Sequence, residues 1–412
     1  MKTLIKSATI LSPESKYHGQ VRDIFIEKGK IVQIGKNLSI EKAKIINLPQ
    51  TYVSAGWIDL RANYREPGHE FKENLESGIR AAAKGGFSTV VLMPSTSPPV
   101  DNKSQIEYII NRSKSSPVKL LPAGALTHGM KSQQLSEMYD MHLAGAIAFT
   151  DDKQNVGTEV MTRALEYTSN FGGCVMSFPM HHGIIPGGMM HEGVVSTEMG
   201  VKGIPSVAEE IRLQRDIELL RYTSGRLHVS LISTAKSVEL IRKAKKDKLA
   251  ITCAIAAHQL CFTDEDLRSF DSNYKVLPPY RSKEDRKALI NGLKDGTIDA
   301  ICSDHCPEDV EHKVREFQDA EFGISCIETT FCSAFTALEK FLTPEDIINK
   351  LTTGPASVLG LQIGKIEEGQ DSNLTVFTTA ENTLFTATEW QSLSRNSPFI
   401  DKELRGRIIP LV

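Results

Sequence analysis

The sequence has no excess of charge of either sign, and this absence limits its partners. It carries 48 Lys and Arg against 51 Asp and Glu, a formal net charge of −3 over 412 residues. Because the two signs are interspersed, no long-range field gathers nucleic acid or anionic lipid. Apolar runs long enough to span a bilayer are missing as well. We therefore expect no nucleic-acid partner and no association with membranes.

The amino-terminal segment lacks the pattern of a signal peptide. A lysine interrupts the brief apolar stretch of MKTLIKSATILSPES, and no small-residue cleavage site follows it. The seven cysteines are an odd number, and five of them lie in apolar runs typical of buried strands or helices. Both features predict a cytoplasmic protein with reduced thiols.

Strand-like apolar runs alternate with amphipathic segments of helical spacing over the middle of the chain. This alternation is typical of a parallel sheet built from βα units. The strand candidates are eight: 57–64, 89–93, 118–126, 144–150, 174–178, 227–233, 250–255 and 299–303. Eight units favour a closed barrel over an open sheet, so the sequence predicts an α/β protein with a (β/α)8 barrel over residues 53–361.

Both ends of the chain contain short β-type runs without helical periodicity. Near the amino terminus these are TLIKSATIL and VRDIFIEKGKIVQIG, and near the carboxyl terminus they are NLTVFT and RGRIIPLV. The shared pattern predicts that residues 1–52 and 362–412 form one small β-rich subdomain.

Functional groups of such a barrel lie where its strands end. There the sequence places Arg61 and Asn63 at the end of strand one, Asp151 and Asp152 after strand four and Asp304 after strand eight. A zinc site needs three or four donors, usually imidazole or thiolate assisted by carboxylate. Only Asp151 and Asp304 qualify, and Arg61 competes with a metal for both. The residues alone therefore predict a poor metal site, with Asp304 paired to an arginine.

Other metal-ligand residue types are expected to be structural. His181 and His182 lie in the Gly- and Met-rich loop 179–193, where solvated histidines are the ordinary case. Cys302 and Cys306 lack a second ligand pair, which predicts buried thiols. His258 stands alone among apolar neighbours and is expected to be a packed side chain.

Three segments carry a family resemblance that spans essentially the whole chain. They are GWIDLRANYREPGHEFKENLESGIRAAAKGGFSTVVLMPSTSPP, LPPYRSKEDRKALINGLKDGTIDAICSDHCPED and GPASVLGLQIGKIEEGQDSNLTVF. Arg-Glu-Pro-Gly after strand one, Pro-Pro-x-Arg-Ser-x-x-Asp-Arg and the strand-eight Asp-His occur together and in order. The chain resembles the type I dihydroorotase and allantoinase branch of the amidohydrolase superfamily.

The resemblance implies two zinc ions and a bridging hydroxide that acts on a ring amide, with Asp304 moving the proton. Asp151 and Asp304 match the two carboxylate ligands that the resemblance implies. The positions of its four ligand histidines hold other residues: Arg61, Asn63, Phe178 and Leu231. The resemblance therefore implies a metal site whose imidazoles this chain lacks.

The substrate-binding positions that the resemblance implies are also altered. Ser95 and Leu277 replace asparagines, and Glu308 replaces a histidine. Arg65 is the remnant of the substrate site. Because dihydroorotate is an anion, Glu308 is expected to repel it.

These replacements lead to a first hypothesis, a non-catalytic dihydroorotase homologue of pyrimidine biosynthesis without a cofactor. The resemblance makes aspartate carbamoyltransferase its structural partner and implies a homodimer. The alternative is an active dihydroorotase, or a related cyclic amidohydrolase, with a depleted metal site, catalytic Asp304 and zinc as cofactor. A third hypothesis is a small-molecule sensor that retains its pocket through Arg65.

Overall fold

The computed structural model describes residues 2–411. Its strands are β1 Lys2–Leu11, β2 Val21–Glu27, β3 Lys30–Gly35, β4 Lys44–Ile46, β5 Thr51–Ala55, β6 Trp57–Ala62, β7 Phe87–Leu92, β8 Lys119–Pro122, β9 Val175–Ser177, β10 Met190–His191, β11 Gly203–Ile204, β12 Leu227–Val229, β13 Ile251–Ala256, β14 Ala300–Cys302, β15 Leu374–Phe385 and β16 Lys402–Ile409. Its α-helices are α1 Leu75–Lys84, α2 Lys103–Ser113, α3 Met138–Leu143, α4 Thr158–Ser169, α5 Val194–Glu198, α6 Val207–Thr223, α7 Ala235–Lys246, α8 Lys283–Lys294, α9 Val310–Lys313, α10 Thr330–Leu338, α11 Pro344–Asn349 and α12 Thr353–Leu359.

Both ends of the chain meet in one β-sheet. Its strand order is β16-β15-β5-β1-β2-β3, and β4 pairs with β1. Strand β15 runs antiparallel to both β16 and β5, which joins the carboxyl-terminal segment to the amino-terminal one. Ile5, Ile24, Val53 and Val376 are buried in its apolar core. The predicted β-rich subdomain built from both ends is confirmed, and its division at residues 52 and 361 stays a prediction.

The barrel is closed by two parallel sheets and a connecting segment. Strands β6, β7 and β8 form one sheet, and β9, β12, β13 and β14 form the other. The segment 147–150 fills one gap, because Phe149 bridges both Gly124 and Val175. The other gap is closed where the backbone N–H of Asn63 donates to the His305 carbonyl at 2.8 Å. The predicted (β/α)8 barrel is confirmed.

The fourth strand of the barrel is shorter than the sequence predicts. Helix α3 ends at Leu143, and Gly145 has a φ of 108°, so the first residues of the run 144–150 turn rather than extend. Only the end of the run joins the barrel. Its direction nevertheless delivers residues 151–153 to the same end of the barrel as the other strand termini.

Apolar side chains fill the barrel and separate it from the helices. Leu60, Val91, Leu121, Met176 and Ala254 belong to one buried cluster inside the barrel. This packed interior supports the groups at the carboxyl ends of the strands. Within residues 2–411, no helix combines the length and apolarity needed to cross a membrane.

Candidate active site

Arg61 is the centre of the charged cluster at the mouth of the barrel. It lies near the end of β6, is 1% exposed, and donates from Nε to Asp304 Oδ1 at 2.8 Å. Its Nη2 donates to Asp152, and the ring of Phe178 lies 5.6 Å from its Cζ. Burial alone lowers the pKa of Arg61, but the charges of Asp152 and Asp304 outweigh it and raise that pKa. The guanidinium is therefore a fixed buried cation.

Asp152, and not Asp151, is the strand-four carboxylate of this cluster. Besides Arg61, it accepts hydrogen bonds from the Ser95 hydroxyl and from Asn63 Nδ2, the latter at 3.2 Å. Burial alone raises the pKa of Asp152, yet the charges of Arg61 and Lys153 outweigh it and lower that pKa to about 2. This carboxylate is ionised throughout the ordinary pH range.

The prediction that Asp151 shares Arg61 with Asp304 is wrong. Asp151 accepts hydrogen bonds from the backbone N–H groups of Leu126 and Thr127, each at 2.9 Å, and from the Thr127 hydroxyl at 2.5 Å. Its carboxylate holds the neighbouring strand end in place. The chain reverses at Asp152, whose φ is 51°, and this turn brings the second aspartate inward.

Asp304 keeps one oxygen available at the end of β14. Its Oδ1 is held by Arg61, whereas Oδ2 lies 3.7 Å from Lys153 Nζ and 3.9 Å from His258 Nε2. Neither ring nitrogen of His258 has a hydrogen-bond partner among residues 2–411. Burial lowers the pKa of His258 to about 4, so its ring is neutral at neutral pH. The predicted pairing of Asp304 with an arginine is confirmed for Arg61.

The replaced ligand positions of strands five and six form an apolar wall. Phe178 and Leu231 are 3% and 1% exposed and belong to the cluster inside the barrel, together with Leu277. Lys153 Nζ lies 6.0 Å from the Phe178 ring, so this wall also faces a second cation. The wall excludes water from one side of the charged cluster.

Arg65 and Glu308 lie together at the rim of the same end. Arg65 Nη2 donates to Glu308 Oε1, and Lys72 Nζ donates to Glu308 Oε2 at 2.5 Å. The backbone carbonyl of Pro307 accepts from Arg65 Nε at 3.1 Å. Glu308 is thus neutralised by two cations, and the three side chains together carry one net positive charge. The expected repulsion of an anion by Glu308 is offset by this pairing.

The thiols and histidines outside the cluster take structural positions. Cys302 and Cys306 are buried and free, as predicted. His305 accepts from the Cys326 backbone N–H at 3.2 Å, and its other ring nitrogen lies 3.4 Å from Glu73 Oε2. These contacts tie the strand-eight turn to the surrounding loops.

The donor set at the barrel mouth does not fit the zinc site that the resemblance implies. Asp152 and Asp304 both face the Arg61 guanidinium, and two of the four histidine positions are apolar side chains. Among residues 2–411, His, Cys, Asp and Glu side chains form no group of three or more that could hold a metal ion. No catalytic step is therefore assigned to a metal.

Sequence reasoning missed the inward direction of Asp152, the cations Lys153 and Lys72, and the position of His258 beside Asp304. Two signals were available: the run Asp151-Asp152-Lys153 at a strand end, where either aspartate and the lysine can face inward, and His258, which closely follows the strand predicted at 250–255. Lys72 reaches Glu308 from a loop more than 200 residues away in sequence. No local pattern indicates such a contact.

Two family models match the chain. One is described as Dihydro-orotase-like and covers residues 51–237, and the other is the Amidohydrolase family and covers residues 178–402. The dihydroorotase of Acetivibrio thermocellus is 40% identical over 98% of this chain and 96% of its own length. The dihydroorotase of Pelotomaculum thermopropionicum is also 40% identical, over 98% of this chain and 96% of its own length.

Solved structures share the architecture at lower sequence identity. The L-hydantoinase (dihydropyrimidinase) from Arthrobacter aurescens has a TM-score of 0.84 and 22% identity, over 99% of this chain and 93% of that one. The dihydropyrimidinase from Brevibacillus agri NCHU1002 has a TM-score of 0.82 and 20% identity, with the same two coverages. The likeness establishes the amidohydrolase type of barrel with its β-rich subdomain.

The relatives overturn the hypothesis of a non-catalytic structural partner. Proteins that are 40% identical over nearly the full length are dihydroorotases, which favours the alternative of an active cyclic amidohydrolase. The expectation of no activity loses its support for this reason. The expectation of no cofactor loses its support because zinc is typical of the family. Association with aspartate carbamoyltransferase and a homodimer stay predictions. The chain belongs to the dihydroorotase family of the amidohydrolase superfamily.

Proposed function

We propose that this protein hydrolyses, or in reverse forms, the ring amide of dihydroorotate or a closely related cyclic amide at the barrel mouth. The observation that carries this proposal is the 40% identity to dihydroorotases over 98% of the chain. Hydrolysis adds water across the ring C–N bond, so the carbonyl carbon gains oxygen and the ring nitrogen gains a proton. Such a reaction needs a base for the water and positive charge near the carbonyl oxygen.

Asp304 is the base in this proposal. Its Oδ2 has no hydrogen bond among residues 2–411, while Arg61 holds Oδ1 at 2.8 Å and fixes the direction of the carboxylate. Oδ2 accepts a proton from the attacking water and returns it to the ring nitrogen as the C–N bond breaks. The neutral ring of His258, 3.9 Å away, is placed to accept or donate a hydrogen bond beside this oxygen.

Lys153 supplies the positive charge, because Arg61 is already paired with Asp152 and Asp304. Lys153 Nζ lies 3.7 Å from Asp304 Oδ2, and its side chain is 19% exposed, which makes it the link between the buried cluster and solvent. Negative charge that develops on the carbonyl oxygen during water attack is stabilised by this cation, which is already in place. The apolar wall of Phe178 and Leu231 keeps bulk water away and strengthens this attraction.

The anionic group of the substrate is assigned to the rim. Arg65, Lys72 and Glu308 carry one net positive charge and lie at the same end of the barrel as Asp304. A carboxylate that approaches this rim meets two cations and displaces Glu308 from part of their hydrogen bonding. Arg65 keeps the substrate-binding role that the resemblance implies.

The test follows both directions of the reaction in the purified full chain: ring opening of dihydroorotate and ring closure of carbamoyl aspartate. Asp304→Asn is expected to lower kcat by at least about a hundredfold, because proton transfer by a positioned side chain contributes about that much. Asp319→Asn, an exposed aspartate in the loop after β14, is the matched control and is expected to keep full activity.

The metal dependence is measured in the same assays. Each is run after treatment with a chelator and again after zinc is added, and the zinc content per chain is recorded. Turnover that follows zinc content would support the cofactor typical of the family, whereas turnover unchanged by the chelator would support the residues described above. Absence of turnover in both directions under every condition contradicts the proposed function.

A further inference from the structure

A cavity of about 830 Å³ lies on the side of the barrel, apart from the charged cluster. Helices α8 and α10, strand β16 and the segment after β13 line it. Sites for small molecules in proteins usually have volumes of roughly 300–1,000 Å³. The cavity therefore has the size of a ligand site, and none of the residues assigned to the proposed reaction lines it.

The inner part of the cavity is aromatic. Phe262 lies between Phe399, with ring centroids 5.1 Å apart, and Tyr274, with centroids 5.0 Å apart. Phe341, half of whose surface is exposed, lines the same cavity. Aromatic side chains grouped in this way offer faces and edges on which a planar ring can stack.

Five cationic side chains line the same cavity: Lys283, Arg286, Lys287, Lys294 and Lys402. Within residues 2–411, none of the five has a carboxylate oxygen within 4.0 Å of its charged nitrogens. Arg286 makes one hydrogen bond, to the Cys261 carbonyl at 3.2 Å. Nearby cations on helix α7 are paired instead, Arg242 with Asp295 and Lys245 with Asp299.

Two carboxylates also line the cavity, Asp266 and Glu403. The Asp266 carboxylate is already hydrogen-bonded, because it accepts the Thr263 backbone N–H at 2.7 Å. Five cations against two carboxylates leave an excess of positive charge in a chain whose formal net charge is −3. These five cations surround one concave region, which favours a compact anion as its ligand.

We propose that this cavity binds a nucleoside phosphate. The planar base packs against Phe262 and Phe341, which Phe399 supports from behind, and the phosphates are bound by the lysines of α8 together with Arg286. Each part of the cavity matches one part of such a ligand, since its aromatic side chains suit the base and its cationic side chains suit the phosphates. This site is separate from the proposed active site. Its test measures ligand binding and does not depend on turnover.

The test is titration calorimetry on the full chain with uridine triphosphate and adenosine triphosphate, and with uridine and inorganic tripolyphosphate as half-ligands. At least one nucleotide is expected to bind more tightly than either half-ligand, with an affinity that falls as NaCl is added. The variant Lys283→Gln/Lys287→Gln is expected to bind at least about tenfold more weakly. The control Lys243→Gln/Lys246→Gln, two exposed lysines of α7, is expected to bind as the unmodified chain does.

A third variant separates the base from the phosphates. Phe341→Ala is expected to weaken nucleotide binding and to leave tripolyphosphate binding unchanged. The proposal is overturned if neither nucleotide binds at millimolar concentration, or if tripolyphosphate binds as tightly as both nucleotides. It is equally overturned if the α7 control loses as much affinity as the cavity variant, since binding would then follow surface charge in general.

Discussion

Arg61 Nε donates a hydrogen bond to Asp304 Oδ1 at 2.8 Å, at a position where relatives of this chain are expected to bind zinc. The same guanidinium also bonds Asp152, so one cation bridges two buried carboxylates, and Lys153, 3.7 Å from Asp304 Oδ2, adds the second positive charge. The side chains of Arg61 and the two aspartates are at most 5% exposed. The barrel mouth therefore holds a cation that belongs to the chain itself.

Removing this cation is expected to destabilise the fold strongly. Arg61→Met leaves Asp152 and Asp304 without their shared partner, and breaking a buried pair in this way costs about 3–5 kcal/mol. Urea denaturation of the full chain measures the loss. The matched control is Arg407→Met, whose partner Glu381 forms an exposed pair worth at most about 1 kcal/mol. Equal losses in the two variants would contradict the central role of Arg61.

The ionised state of Asp152 makes stability depend on acid. Its pKa is about 2 in the folded protein, below the ordinary value of 3.8, so the folded state binds this proton more weakly than the unfolded chain. The stabilisation is full above the ordinary value and is lost as the pH falls through the folded value. The difference corresponds to roughly 2 kcal/mol.

Asp152→Asn removes this titration, so unfolding measured in urea between about pH 4 and pH 2 is expected to show a shallower dependence on pH. The exposed Asp371→Asn serves as control and is expected to keep the slope of the unmodified protein. An Asp152→Asn variant with an unchanged slope would mean that another group governs the acid response.

Glu308 is expected to compete with an anionic substrate for Arg65 and Lys72. Glu308→Gln removes one negative charge and leaves two cations at the rim, so dihydroorotate is expected to bind roughly tenfold more tightly. The measurement is the ligand-induced rise in Tm or the KM for ring opening. Glu311→Gln, an exposed glutamate of α9, is the control and should change neither value. Unchanged or weaker binding in Glu308→Gln would argue against a substrate site at this rim.

Lys313 is expected to hold the loop after β14 in place. Its ammonium is buried and donates to three backbone carbonyls, those of Lys275 at 3.0 Å, Glu321 at 2.9 Å and Gly323 at 2.8 Å. Lys313→Met leaves the carbonyls of Glu321 and Gly323 unpaired, at about 1–3 kcal/mol for each buried group left unsatisfied. The Lys275 carbonyl still accepts the Gly323 backbone N–H at 3.1 Å. Hydrogen exchange is expected to accelerate in the loop 306–323 and not in β1–β3. Uniform acceleration across the chain would show a global effect instead.

The barrel and the contact between Arg61 and Asp304 were predictable because both follow from regular periodicity. Neighbouring strands β6 and β14 end at the same side of the barrel, so charged residues after them must meet. The choice between Asp151 and Asp152 was not predictable, because the backbone turns at Asp152 with a φ of 51°. Strand alternation alone does not describe such a turn.

Contacts made by loops escaped prediction for a related reason. Lys72 reaches Glu308 from a loop whose course depends on the packing of the complete barrel, and His258 lies in the short helical turn that follows β13. Lys153 likewise lies a few residues beyond the end of the segment 147–150. A functional side chain just beyond a strand can be located from sequence, but the direction in which it points depends on the turn.

Restoring the imidazoles is expected to restore a metal site. In Arg61→His/Asn63→His/Phe178→His/Leu231→His, the guanidinium that occupies both carboxylates is gone, and four preferred zinc ligands join Asp152 and Asp304. After incubation with zinc and desalting, this variant should hold more zinc per chain than the unmodified protein, and its Tm should rise with zinc. Arg61→Met alone is the control: it frees the carboxylates without adding imidazole and is expected to gain no zinc. Zinc uptake by that control would show that the guanidinium alone excludes metal, and a fourfold variant with no gain in zinc would mean that these positions do not converge on one site.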